Sequence, residues 1–181
     1  MNHSPAHIQK LVYASLCLAL ALVLPFLTGQ IPEIGSMLCP MHIPVLLCGF
    51  LCGWPWGLAV GAAAPILRSV IFSMPPMYPT AVGMMFELAA YGFLSGLLCR
   101  IAPKKIWGVY IVLIVSMIFG RAVWGVAQTI LLTAKGNSFT FAAFIAGAIT
   151  KAVPGIIVQL LLIPPVVLVL SKAGYAPNFN R

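Results

Sequence analysis

The sequence predicts an all-α membrane protein, a six-transmembrane-helix bundle with both termini cytoplasmic. Three observations predict it. Of 181 residues, 62% are hydrophobic and only 7% charged, whereas a soluble domain carries roughly a quarter charged residues. The mean hydropathy is +1.08. The apolar runs are continuous over helical lengths rather than alternating, which favours helices over a closed barrel. At about 20 residues per crossing plus short turns, the chain has room for some six spans. One compact domain over residues 1–181 is therefore expected.

The elements follow in chain order. Residues 1–10 are polar, and the apolar run Leu11 to Leu27 makes the first span, about 11–27. A basic flank and an apolar run also describe a signal peptide, but this run is long for one. Thr28 to Pro40 is a long connection. A shorter apolar segment, about 41–53, is the second span. Trp54-Pro55-Trp56-Gly57 reads as a tight interfacial turn, with its tryptophans in an aromatic belt. The third span is expected at about 56–73, a proline loop at 74–79 and the fourth span at about 80–101. The fifth, about 106–133, is long enough to need tilt. The sixth, about 139–171, is interrupted by Pro154 and Pro164-Pro165.

Lys and Arg decide the orientation. With cytoplasmic termini, the inner face collects Lys10, Arg100, Lys104, Lys105, Lys172 and Arg181. The outer face then holds Lys135 and the acidic Glu33. The net charge of +8 does not point to nucleic acid, because no polar domain carries a basic patch. The five cysteines read as reduced core residues.

Ionisable groups at membrane depth mark candidate sites. Arg68, Glu87, Arg121 and Lys151 are such groups. By helical rise, Arg68 and Glu87 lie roughly 8–10 Å below the outer ends of their spans, and Arg121 and Lys151 roughly 18 Å. All four can reach one cavity open to the outside. Three cations against one anion suit a substrate bearing a carboxylate or phosphate. A structural pair of Arg68 with Glu87 is the competing reading. Arg121, Trp124 and Gln128 share one helical face, and Glu87 and Tyr91 share another, with Met84 one turn before. His42 follows Cys39 at half of a metal-ligand spacing, with no second half in the chain. A substrate-facing histidine is expected there, and no metal.

No nucleophile elbow, zinc-protease helix, pair of membrane aspartates or phosphate-binding Gly-Lys-Ser/Thr loop occurs. No catalytic residue or cofactor is assigned, and the chain has no nucleotide site with which to energise transport. In span one, Ser15 with Ala19 and Cys17 with Ala21 form small-x-x-x-small pairs that permit close helix approach.

Together with Met41-His42-Ile43-Pro44-Val45, the Arg68–Glu87 block and the stretch Glu87 to Gly96, these features resemble a known family. The chain is similar over nearly its whole length to the substrate-binding S component of energy-coupling factor (ECF) vitamin transporters, in the branch that includes pantothenate-type members. The resemblance implies a binding subunit that captures a vitamin-like molecule from outside the plasma membrane of a prokaryote. It also implies a membrane coupling subunit and two ATPase subunits as partners. Ser15 and Ala19, or Cys17 and Ala21 in the second register, would meet the coupling subunit. The first connection, with Glu33, Ile34 and Gly35, would be the gate. Pantothenate is the first substrate expected, bound by Arg121, Lys151 and Arg68 at its charge and by Trp124, Tyr91, Met84, Gln128, His42 and Glu87 around it. An intramembrane enzyme acting on a lipid or isoprenoid, and a stand-alone permease, are the alternatives.

Overall fold

The computed structural model describes residues 5–28, 39–134 and 153–175. Their regular structure is entirely helical. Helix α1 (Pro5–Val23) continues into a 3-10 turn (Leu24–Thr28), and α2 (His42–Cys52) and α3 (Trp54–Phe72) follow. A π-turn (Met77–Ala81) leads into α4 (Val82–Ile101), followed by α5 (Ile106–Thr133) and α6 (Val153–Lys172). Five of these segments are long and apolar enough to cross a bilayer. Helix α2, with 11 residues, reaches only about 17 Å, roughly half of a hydrocarbon core.

The distribution of side chains fits lipid rather than water. Val70, Ile118, Val126, Leu161 and Val169 are exposed on outward faces, while His42, Glu87, Gln128 and Gln159 are buried. A soluble protein places these classes the other way round. In hydrocarbon, polar groups must find their partners inside the bundle.

Helix α4 is the centre, packed against α2, α3 and α5. Its buried positions, including Glu87, Leu88, Tyr91, Gly92, Ser95, Gly96 and Cys99, recur at three- and four-residue intervals along two adjoining stripes. The α3–α4 contact is made by backbone. A Cβ at Gly57 would strike the Gly92 carbonyl, one at Gly92 would strike Gly57, and one at Gly61 would strike the Leu88 carbonyl. Small residues one turn apart on both helices allow this approach. They also set the register, and continuing it along both helices puts Arg68 opposite Ala81, about 9 Å along the axis from Glu87.

Basic residues gather at one end of the bundle. The Cys52 thiol meets the Lys10 carbonyl at 3.5 Å, the His7 and Trp56 rings lie 5.6 Å apart, and Tyr13 stacks edge-on against Tyr175. Arg100 lies beside Gly53, and Lys104 donates to the Cys99 carbonyl at 3.0 Å. Lys10, Arg100, Lys104, Lys105 and Lys172 are all exposed here.

Two expectations need correction. Trp54-Pro55-Trp56-Gly57 is the first turn of α3 rather than an interfacial turn. Gly53, at φ 91°, takes the corner, and Pro55 suits the first helical turn, where no N–H partner is needed. Pro164-Pro165 does not interrupt the last span, because α6 runs continuously from Val153 to Lys172 through both prolines. The expected start of that span at 139–152 lies outside the described residues.

Because no side chain cushions the α3–α4 contact, Gly92→Ala is expected to lower stability by about 1–3 kcal/mol. Thermal unfolding in detergent reads this as a fall in melting temperature. An unchanged melting temperature would show that the two backbones can separate freely.

Candidate functional site

The site is built on Glu87, whose carboxylate is 2% exposed. Three groups converge on its Oε1. Arg121 Nη1 lies at 3.0 Å, the Tyr91 hydroxyl donates at 3.1 Å, and His42 Nε2 lies at 3.4 Å. Helix α2 contributes His42, α4 contributes Glu87 and Tyr91, and α5 contributes Arg121. Burying a carboxylate without a cation would cost several kcal/mol, so the guanidinium is a requirement of the fold as well as a candidate ligand contact.

Local packing explains how these side chains meet. Gly120 leaves room for the Tyr91 ring, which a Cβ there would strike, and Gly83 leaves room for Gln128. At the end of the bundle opposite the basic residues, the Tyr78 hydroxyl donates to the Leu131 carbonyl. These contacts align α4 with α5 so that Glu87 and Arg121 stand at one level. The His42 ring tilts against Tyr91, with centroids 5.1 Å apart.

Several buried polar atoms in this region have no hydrogen-bond partner among the described residues. They are both nitrogens of His42, Arg121 Nε and Gln128 Oε1. The 3.4 Å contact of His42 with Glu87 is therefore an approach without hydrogen-bond geometry. The Arg121 side chain is 15% exposed against 2% for Glu87, so the cation is the more accessible member of the pair.

The other expected residues fall into separate groups. Arg68 does not pair with Glu87. Its Nη1 donates to the Leu22 carbonyl at 2.6 Å, and its guanidinium lies 5.0 Å from the Phe26 ring and 5.6 Å from that of Phe72. The α3–α4 register holds it a turn and a half away from the carboxylate, and Pro25 has no N–H to offer Leu22 across the 3-10 turn. Met84 packs with the core between α1, α2 and α3. Trp124 is half-buried on the helix that carries Arg121, and Gln128 on that helix is buried. Lys151, Glu33, Ile34 and Gly35 lie outside the described residues.

Helix α1 separates its two small-residue pairs. Ser15 and Ala19 face outward, whereas Cys17 and Ala21 are buried against the neighbouring helices. Of the two registers, only Ser15 and Ala19 are available to a partner.

Cys39 was assigned no part in substrate binding by its sequence. Arg121 Nη2 donates to its Sγ at 3.5 Å. Burial raises the pKa of this thiol above its ordinary value, which keeps it neutral beside the guanidinium. The Cys39-x-x-His42 spacing was the available signal, and both residues stand beside the Glu87–Arg121 pair. Among the described residues, no group of three or more His, Cys, Asp or Glu could hold a metal ion.

The family model for the ECF transporter substrate-specific component matches residues 9–167. The chain belongs to that family. It is therefore a multi-pass membrane protein and a substrate-binding S component of an ECF transporter, which implies a small-molecule substrate and components of an ECF module as partners. No curated protein and no solved structure matches the chain. Within this S component, the cluster around Glu87 and Arg121 is the candidate for substrate recognition.

Removing one charge of the pair should be worse than removing both. Glu87→Gln and Arg121→Gln are each expected to destabilise by roughly 3–5 kcal/mol, and the double variant by clearly less than their sum. A double-mutant cycle of unfolding in detergent measures this. Additive losses would mean that the two charges do not interact.

Proposed function

We propose that this S component captures an anionic, vitamin-like small molecule through Arg121, from the outer side of a prokaryotic plasma membrane. A coupling subunit and two ATPase subunits then drive its uptake. Pantothenate is the ligand of choice, since it combines a carboxylate with hydroxyl and amide groups. The observation that carries this reading is the asymmetry of the ion pair. Glu87 is enclosed and orients the guanidinium, while Arg121 is the more accessible member and keeps Nε without a partner. A carboxylate can take that donor, and a ligand hydroxyl or amide N–H can satisfy Gln128 Oε1.

Arg121 is already balanced by Glu87, so surplus positive charge at the site rests on Lys151. Tyr91 supplies the aromatic wall, and Trp124, half-buried one turn along α5 from Arg121, is the second aromatic group. Met84 and Arg68 are better read as structural groups. The exposed Ser15–Ala19 face of α1 is the surface for the coupling subunit, and the basic end is cytoplasmic by the positive-inside rule. An enzyme using His42 and Glu87 would draw on the same 3.4 Å contact. Both side chains are only 2–3% exposed, so neither is open to a lipid substrate in this conformation.

Calorimetric titration of the detergent-solubilised protein with pantothenate tests the reading. Tight binding is expected. Arg121→Lys and Lys151→Ala should each weaken it by about 2–5 kcal/mol, while Arg68→Lys should leave it within about 1 kcal/mol. Unchanged affinity in both Arg121→Lys and Lys151→Ala would remove this site.

A further inference from the structure

Cys39 lies three residues before the start of α2, in a conformation that its side chain does not favour. Its φ is +48°, in the left-handed region, where any Cβ approaches the following carbonyl closely. Glycine would adopt this backbone freely. The backbone alone therefore gives no reason for a thiol here.

The contacts supply one. The Cys39 carbonyl accepts from the His42 N–H at 3.0 Å, and its thiol accepts from Arg121 Nη2 at 3.5 Å. With Nη1 on Glu87 and Nη2 on Cys39, the guanidinium is held at both terminal nitrogens, and Nε is the nitrogen without a partner. An independent observation also points to a ligand. The His42 ring is 2% exposed, and its Nδ1 has no partner.

Resting on the reading of this cluster as the ligand site, we propose that Cys39 is a positioning residue for Arg121. Its thiol fixes the rotation of the guanidinium so that Nε–H is presented to the acidic group of the ligand. A thiol suits this task. Sulfur is large enough to reach the guanidinium from the backbone, and as a neutral group it leaves the positive charge to Glu87 and the ligand. The strained backbone persists because the residue is held twice, by its thiol on Arg121 and by its carbonyl on the His42 N–H.

Two measurements test this. The first is thermal unfolding of Cys39→Gly in the native background and in the Glu87→Gln/Arg121→Gln background. In the second background strain relief, the lost burial of the side chain and glycine's chain entropy set the shift. In the native background the thiol contact is also lost, so the shift should be more destabilising. Equal shifts in both backgrounds would overturn the proposal.

The second is pantothenate titration. Cys39→Ser keeps an acceptor and should bind within about threefold of native, whereas Cys39→Gly should bind roughly tenfold more weakly or worse. Rescue by serine separates positioning from simple packing, and native affinity in Cys39→Gly would overturn the proposal. If the native protein binds no pantothenate, the ligand assignment fails, and the unfolding measurement still decides the Cys39–Arg121 contact.

Discussion

A buried carboxylate without water has to be surrounded, and much of this bundle follows from surrounding one. Glu87 faces the interior of α4, and Arg121, Tyr91 and His42 close around the same oxygen. For the cation to arrive, α4 and α5 must stand in one register and approach closely. Gly83 and Gly120 supply the space, and the Tyr91 ring fills what Gly120 leaves open. The short helix α2 brings its first residue, His42, to the same place. Electrostatics, helix register and the placement of small residues are here aspects of a single requirement.

The two arginines Arg68 and Arg121 show how differently one residue type can be used. Arg121 is directed by an anion and keeps a donor in reserve. Among the described residues, Arg68 has no anion in contact. It is satisfied by a main-chain carbonyl near the end of α1 and by the faces of two phenylalanines. A cation close to a helix C-terminus is also favoured by the helix dipole. The first arrangement suits recognition, whereas the second ties α1 to α3.

Composition and run length made the helical membrane fold legible, because hydrocarbon leaves the backbone few alternatives. Glu87 and Arg121 stood out for the same reason, as charges that lipid does not tolerate alone. Their pairing was not legible. Counting residues from span ends placed Glu87 near the surface with Arg68, but span ends are not level with one another. The actual level depends on glycine contacts between α3 and α4 and on Tyr78 reaching Leu131. Likewise, prolines suggested breaks at Trp54-Pro55 and Pro164-Pro165, where the helices tolerate them. The small-residue pairs of α1 could not be ranked from spacing, because only packing decides which face turns inward. Cys39 was legible only as half of a metal-ligand spacing, because its contact with Arg121 depends on one backbone angle and one cross-helix approach.

The exposed lysines and arginines at one end give the molecule an electrical polarity along its length. Lys10, Arg100, Lys104, Lys105 and Lys172 lie there, while the chain's two acids are Glu33 and Glu87. Carrying a single such charge across a membrane held at 100 mV takes about 2.3 kcal/mol in the field alone, before any loss of hydration. Five together act as a keel. They hold this end at a water boundary more firmly than the end that carries Tyr78 and Leu131.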